Sequence, residues 1–451
     1  MALLATIKAI YLSRRFFAVF AGIIALCVSG YYWNPLFIAA LVCLLLLGAL
    51  VLADILLLRL RGRGKAGGLH AERIVPPQLS NGDLNVISIH VENCYPFKVS
   101  VRVIDEVPIQ FQVRDQGFEI ELKKGERQIL RYTLRPTERG SYAFGSVNLF
   151  AKSPIGLVLR RFKSGAEAEA AVYPSIIQMH RYAFLAASNR LEEIGIKKVR
   201  RVGHTMEFDQ IRDYVTGDDR RTINWNATAR RGGDLMVNQY EDERSQPVYA
   251  MLDMGRAMRS PFDGMTLLDH SINAALVLLN IALQKSDKAG LVAFNEEIQA
   301  VLPADRRRAQ LSRILDALYR VTTSYMDPSY EALLATTERS LRKRGLVLLF
   351  TNFETRNGLR RQLPYLRRIA KLHRLVVVFF ENTGLEDLLT RRSERLEDVY
   401  VKAFGEGLDV EKREIARELE RHGVGALLTR PERLTVDAIN KYLQLKARGA
   451  F

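Results

Sequence analysis

The chain has 451 residues, of which 48% are apolar, so two or three domains with sizeable buried cores are expected. Lys and Arg number 66 against 50 acidic residues, and the formal charge of +16 suits an anionic membrane surface, nucleic acid or an acidic partner. The three cysteines exclude a disulfide framework and a cysteine-based zinc site, because their spacing fits neither.

The N-terminal region predicts a membrane hairpin. No charged residue lies in residues 16–53, and Asn34-Pro35 divides this run with a turn signal. The two pieces, residues 16–33 and 36–58, are each long enough to cross about 30 Å of hydrocarbon as a helix. Residues 1–60 are therefore predicted to form a transmembrane hairpin. A cleaved signal peptide is the rival interpretation of the first span, but it leaves the second span unexplained.

Basic residues flank both ends of this hairpin, whereas its turn is uncharged. The positive-inside rule then places both ends in the cytoplasm. We predict a multi-pass protein of the plasma (inner) membrane with cytoplasmic soluble domains. Asp54 is expected to mark a functional polar site, to reach the membrane interface, or to pair with Arg59. The flanking residues are Lys8, Arg14, Arg15, Arg59, Arg61, Arg63 and Lys65.

Residues 61–70 read as a flexible, glycine-rich basic linker. In residues 71–171 apolar and polar side chains alternate, as at Ile87, Ile89 and Val91, with Gly, Pro and Asn between the runs. This period of two predicts half-buried antiparallel strands. Several strands at this spacing indicate a β-sandwich-like domain.

The C-terminal half changes character twice. Residues 172–246 are polar and weakly periodic, whereas residues 247–451 alternate apolar strand runs with helical spacing. Residues 346–350 and 375–380 are near-continuous apolar runs, which are typical of parallel strands buried on both faces. The predicted fold class is α/β with a doubly wound, mostly parallel sheet. Helices are predicted near residues 306–319, 329–342, 358–373 and 410–422.

The segment from Glu207 to Glu243 resembles the signature of domain-of-unknown-function family fifty-eight. The resemblance extends over nearly the whole chain. It implies two N-terminal spans, a β-rich region, the signature and a von Willebrand factor A-like α/β domain. The matching residues are Glu207, Phe208, Arg212, Tyr214, Gly217, Asp218, Asp219, Arg221, Ile223, Trp225, Ala229 and Arg230.

Charged residues and one tryptophan dominate this signature. Asp218 and Asp219 allow dense ion pairing with the nearby arginines, and Trp225 provides a large apolar anchor. The segment is predicted either to brace the β-rich region against the α/β domain or to present a surface to a partner. Paired aspartates also serve acid–base catalysis, but no histidine or nucleophile motif accompanies them. The arginines are Arg220, Arg221, Arg230 and Arg231.

Resemblance to von Willebrand A-like domains also implies a divalent-cation site at the strand ends, and here its pattern is degenerate. Asp253 is kept, but Gly255 and Ala257 replace two serines, and Asn352 stands where a second aspartate is expected. Since hard oxygen ligands are missing and Arg256 adds positive charge, no metal and no other cofactor is expected. Asp253 is instead expected to pair with Arg256 or to cap a backbone amide.

The predicted function is that of a non-enzymatic, membrane-anchored protein-interaction scaffold. The chain lacks a P-loop, a G-x-S-x-G and an H-E-x-x-H motif, so no catalytic residue is expected. The resemblance implies a MoxR-type AAA+ ATPase and other von Willebrand A-like proteins as partners, in an assembly or chaperone-like role. The alternative is an anionic-lipid or nucleic-acid binder driven by net charge, although no aromatic-interleaved basic stripe predicts specific nucleic-acid recognition.

The signature and the strand ends around Asp253 are predicted to form one recognition surface, since ligands of open parallel sheets bind beyond the carboxyl ends of the strands. The partner-binding candidates are Asp218, Asp219, Arg221, Trp225, Arg230, Arg231, Asp253 and Arg256.

Overall fold

The computed structural model describes residues 9–59, 68–113, 117–165, 167–187, 206–216, 218–242, 245–381 and 396–449. The chain divides into two compact units, Met1–Tyr173 and Pro174–Phe451. Most of the predicted basic linker lies outside the described residues, as do Lys8, Gly217 and Glu243. The last two residues assigned to that linker, Leu69 and His70, already belong to a strand.

The first unit consists of two N-terminal helices and a set of short strands. Its elements are β1 (Ile10–Leu12), α1 (Arg14–Ser29), α2 (Asn34–Arg59), β2 (Leu69–Ile74), β3 (Gln78–Ser80), β4 (Asn85–Asn93), β5 (Val99–Asp105), β6 (Gly117–Leu122), β7 (Arg127–Leu134), β8 (Gly140–Phe144), β9 (Val147–Lys152), β10 (Val158–Ser164) and β11 (Ala168–Tyr173).

The helices α1 and α2 form the hairpin that the apolar run predicted. With 26 residues, α2 is long and apolar enough to cross a membrane, while α1 is shorter at 16 residues. The turn lies between Ser29 and Asn34, not at Asn34-Pro35 as predicted. Pro35 instead occupies the first turn of α2, because a proline there loses no helical hydrogen bond and its fixed φ suits the helix.

The strands of the first unit pair mostly antiparallel, as their period of two predicted. Three sheets have the orders β1-β10-β9-β5-β6, β2-β4-β7 and β3-β11-β8, and only β3 and β11 pair parallel. Alternate side chains point into one shared core, which joins Ile87, Ile89 and Val91 to residues of the facing sheet such as Val101 and Val103. This arrangement is the predicted β-sandwich-like architecture.

Both ends of the helical hairpin bond to the loop before β10, and α2 also bonds to the first residue of that strand. The Ser13 amide donates to the Leu157 carbonyl at 2.9 Å, and the Ser13 hydroxyl donates to the Gly156 carbonyl at 2.7 Å. The buried Asp54 carboxylate of α2 accepts the amides of Leu157 and Val158, both at 2.8 Å, and the Ser153 hydroxyl. The predicted Asp54–Arg59 pair is therefore wrong, because this loop supplies the partners of the buried carboxylate.

The second unit alternates helices with strands. Its elements are α3 (Ile176–Ala187), β12 (Met206–Asp213), α4 (Trp225–Arg230), β13 (Met236–Asp242), β14 (Pro247–Asp253), β15 (Pro261–Phe262), β16 (Met265–Thr266), α5 (Leu267–Gln284), β17 (Lys288–Phe294), β18 (Ile298–Asp305), α6 (Ala309–Arg320), α7 (Tyr330–Ser340), β19 (Leu346–Phe350), α8 (Arg356–Leu372), β20 (Arg374–Phe380), α9 (Leu396–Arg421), β21 (Gly425–Thr429) and α10 (Leu434–Ala447).

A six-stranded sheet with the order β18-β17-β14-β19-β20-β21 forms the centre of this unit. All pairs are parallel except the edge pair β17–β18, so the sheet is mostly parallel, as predicted. Alternate residues of β14 face opposite cores: Val248 and Ala250 pack with α5 and α10, whereas Tyr249 and Met251 pack with α7 and α8. The second apolar helix that is long enough to span a membrane, α5, is the buried helix of this core.

Three helices differ from their predictions. The structure adds α3 and the short α4 in the segment predicted to be polar and weakly periodic, and α3 contributes Met179 to the core. The helix predicted from Val410 begins at Leu396, because a stretch with acidic residues and two glycines hides its helical period in the sequence.

Candidate functional site

The carboxyl end of β14 holds a buried polar network around Asp253. One carboxylate oxygen accepts the Gly255 amide at 2.8 Å. The other accepts the Thr351 hydroxyl at 2.6 Å and the Tyr330 hydroxyl at 3.2 Å. The same two hydroxyls lie 2.8 Å from each other, so three elements of the fold meet at this carboxylate. Asp253 caps a backbone amide, which was one of its two expected roles.

Burial changes the acidity of this network. Loss of solvent, with a smaller contribution from the nearby charge of Asp327, raises the pKa of Asp253 to about 6, and the hydrogen bonds from Thr351 and Gly255 oppose the shift. Burial also raises the pKa of the Tyr330 hydroxyl, with the Asp253 charge as the second cause. The carboxylate consequently takes up a proton more readily than an ordinary aspartate as the pH falls.

A lysine lies beside Asn352, at the end of the neighbouring strand β19. The Lys412 ammonium of α9 donates to Oδ1 of Asn352 at 2.6 Å, and only 1% of the lysine is exposed. Burial lowers the pKa of Lys412 to about 8, although the charges of Glu354 and Glu411 oppose this shift. Sequence reasoning missed Lys412, although its spacing from Ile415 and Leu419 puts it on the apolar face of its helix.

The residues at these strand ends do not fit a divalent cation. A Cβ on Gly255 would lie 2.6 Å from Cδ of Pro328, so the serine of an intact site has no room there. At Asn352, the amide oxygen accepts the Lys412 ammonium, a positive charge that opposes a cation. Among the residues that the structure describes, no three His, Cys, Asp or Glu side chains are grouped so that they could hold a metal.

Arg256 lies on the exposed rim of this region and does not pair with Asp253. Its guanidinium pairs with Asp327 at 3.0 Å, and both side chains are largely exposed. Ala257 follows in the short 3-10 helix Arg256–Arg259. Next to it, the Arg259 guanidinium lies 3.8 Å from the centroid of the Tyr325 ring. The predicted Asp253–Arg256 pair is therefore wrong, because the loop before α7 supplies a more accessible acid.

The signature folds around an antiparallel pair of strands, β12 and β13. The Asp218 carboxylate accepts the Arg212 guanidinium at 2.6 Å and the Val215 amide at 2.9 Å, and the bond from Arg212 lowers its pKa. Asp219 accepts the Arg221 amide at 3.0 Å and caps the 3-10 helix Arg220–Thr222. The two aspartates thus shape the connection between the strands.

Two further contacts close this connection. Arg231, at the end of α4, pairs with Asp213 of β12 at 2.6 Å. The Thr228 hydroxyl accepts the Met236 amide at 3.0 Å and joins α4 to β13. Of the predicted partner residues, Arg231, Asp218 and Asp219 are therefore engaged in local structure.

Trp225 opens α4 at the surface. Trp225 is 67% exposed, so it does not dock the signature onto its own fold, and its apolar area stays available to a partner. Arg220, Arg221 and Arg230 are also exposed, and no acidic partner of theirs occurs within the described part of the chain. We call Trp225 with these three arginines the Trp225 surface. The contacts that stabilise the signature are made between residues of the signature. The hydrogen bonds of Asp253 come from other residues, Gly255, Tyr330 and Thr351.

Comparison with known proteins gives one family and several distant structures. Residues 210–387 match the family "Protein of unknown function DUF58". No curated protein matches the chain significantly. Among solved structures, the conserved hypothetical protein BatB from Bacteroides thetaiotaomicron is 14% identical, covering 45% of this chain and 98% of its own, with a TM-score of 0.31. The CARDB domain of a Pyrococcus furiosus protein, solved with di-metal ions, is 17% identical, covering 25% of this chain and 92% of its own, with a TM-score of 0.17.

Proposed function

We propose that the chain is a non-enzymatic protein-interaction scaffold anchored in the membrane. The family that residues 210–387 match, DUF58, is of unknown function, so the support comes from the residues themselves. The Trp225 surface is the observation that carries this proposal. An exposed tryptophan and exposed arginines of one short segment have the composition found at binding hot spots.

The chemistry of this surface defines the partner it fits. Trp225 contributes apolar area to an interface, while Arg220, Arg221 and Arg230 offer planar donors to carboxylates. An acidic protein segment with an apolar residue satisfies both. The resemblance of the signature implies a MoxR-type AAA+ ATPase as the partner, together with other von Willebrand A-like proteins, and the proposal adopts that partner.

The proposal places the soluble parts at the cytoplasmic face of the inner membrane. Its support is the uncharged run that forms α1 and α2, with Arg14 and Arg15 at one end and Arg59 at the other. Basic residues at both ends and none in the turn favour a hairpin that enters and leaves on the cytoplasmic side.

The proposal treats the α/β unit as a von Willebrand A-like module that binds protein without a metal. Support comes from the mostly parallel sheet, with Asp253 and Asn352 at the carboxyl ends of adjacent strands. Pro328 fills the space that a serine ligand at position 255 would need, and the Lys412 ammonium places a positive charge at Asn352. The buried Asp253 network has bonding partners within the fold, which favours a structural role over catalysis.

Binding of a purified MoxR-type ATPase to the full-length chain in detergent tests the proposal. We expect Trp225→Ala and Arg221→Glu each to weaken binding about tenfold or more, because one removes the apolar contact of the surface and the other reverses one of its charges. Phe184→Ala is the matched control, since Phe184 of α3 is 69% exposed and lies outside the signature. Equal binding by all four proteins defeats the proposal.

A further inference from the structure

Two basic side chains converge above Gly156, next to the end of the helical hairpin. The guanidinium Nη1 of Arg15 and Cε of Lys152 lie 3.2 and 2.8 Å from the position that a Cβ on Gly156 would take. Arg15 belongs to the first turn of α1, and Lys152 ends β9. The ends of two cationic side chains thus lie around one point, and like charges near each other repel unless an anion lies between them.

The protein supplies no such anion within its described residues. The nearest carboxylate bonded to this loop, Asp54, is buried and accepts Ser153, Leu157 and Val158. No ion pair of Arg15 or Lys152 occurs in the part of the chain that the structure describes. The pair therefore keeps its positive charge available to a ligand.

The backbone around Gly156 also determines where Arg15 and Lys152 lie. Gly156 has φ +76°, a left-handed conformation that favours glycine, and a Cβ there would push both basic side chains away. The bonds from Ser13 to Gly156 and Leu157 hold the first turn of α1 against the same loop. Arg15 and Lys152 are thus brought together by ordered backbone on both sides.

We propose that Arg15 and Lys152 bind the phosphate of an anionic phospholipid headgroup. Arg15 immediately precedes the uncharged run that begins at Phe16, so the pair lies at headgroup depth if the hairpin spans the bilayer. The assignment therefore rests on the proposed membrane placement. The exposed Arg14 and Arg59, at the ends of the two helices, add to the same basic field.

Lipid counting by native mass spectrometry tests this site on the full-length chain in detergent. We expect phosphatidylglycerol to bind about tenfold tighter than phosphatidylcholine. The double variant Arg15→Gln/Lys152→Gln should lose most of that preference and keep its affinity for phosphatidylcholine. Arg131→Gln, at an exposed arginine midway along β7, should leave the preference unchanged.

The remaining outcomes separate this site from the membrane proposal. Unchanged phosphatidylglycerol affinity in the double variant overturns the headgroup site, and so does displacement of the lipid by millimolar inorganic phosphate, which would indicate a free-phosphate site. Flotation of the chain with vesicles of phosphatidylcholine alone tests the membrane placement by itself. A chain that floats with these vesicles but shows no headgroup preference loses only the lipid site.

Discussion

The Lys412 ammonium donates a hydrogen bond to Oδ1 of Asn352 at 2.6 Å and so joins α9 to the end of β19. The two residues are 60 positions apart in the chain, and both are buried. The Lys412 ammonium therefore lies at the carboxyl end of β19, where the resemblance to von Willebrand A-like domains implies a metal site.

This lysine predicts an alkaline pH dependence of stability. Its folded-state pKa is lowered to about 8, so between pH 8 and about 10.5 the unfolded chain holds the proton more tightly than the folded one. We expect the free energy of unfolding to gain a rising contribution over this range, and Lys412→Met to remove it. Melting temperatures of both proteins against pH measure the difference, and parallel curves contradict the prediction.

Asp253 predicts the opposite trend at acidic pH. Its folded-state pKa is raised to about 6, so the folded chain binds the extra proton between about pH 4 and 6. Stability should therefore fall as the pH rises through this range. Asp253→Asn keeps polar partners for Thr351, Tyr330 and the Gly255 amide and removes the buried charge, so it should be more stable at pH 7 by about 1–2 kcal/mol.

The control for this prediction is Asp219→Asn, which neutralises an exposed aspartate of the signature. Its melting curve should follow that of the wild type from pH 4 to 7. An Asp253→Asn protein less stable than wild type at pH 7 would show that the hydrogen bonds to the charged form outweigh the cost of burying it.

Gly255→Ser tests why the cation pattern is degenerate. The serine Cβ would lie 2.6 Å from Cδ of Pro328, so we expect a loss of about 1–3 kcal/mol in stability and no gain of Mg²⁺ binding. Thermal melts and calorimetry measure the two effects. Gly407→Ala is the control, since a Cβ at Gly407 meets no atom within 4 Å. A stable serine variant that binds Mg²⁺ contradicts the steric account.

Asp54 predicts a local effect on hydrogen exchange. Asp54→Leu leaves the amides of Leu157 and Val158 and the Ser153 hydroxyl without their acceptor, at about 1–3 kcal/mol for each buried group left unpaired. We expect faster exchange in the peptide that contains residues 153–158. Leu56→Ala changes an exposed side chain of the same helix and should leave that exchange unaltered, and unchanged exchange in Asp54→Leu argues against the contact.

Local sequence patterns predicted most strands and helices. They did not predict which side chains distant in the chain come into contact. Residues 346–350 form β19 as predicted, because a strand buried on both faces leaves a continuous apolar run. Thr351 and Lys412 were missed, since only the folded chain brings them to Asp253 and Asn352. The role of Trp225 stayed open in the sequence, because a tryptophan beside charged residues has the same local pattern at a buried contact and at an exposed surface.

Site-specific photocrosslinking in intact cells tests the central proposal most directly. A photoreactive phenylalanine derivative replaces Trp225 in one strain and Phe184 in another, because both positions are similarly exposed. We predict that the derivative at position 225 crosslinks to a MoxR-type ATPase and that the derivative at position 184 does not. Equal crosslinking from both positions, or no ATPase adduct at position 225, would contradict the assignment of the Trp225 surface as the partner site.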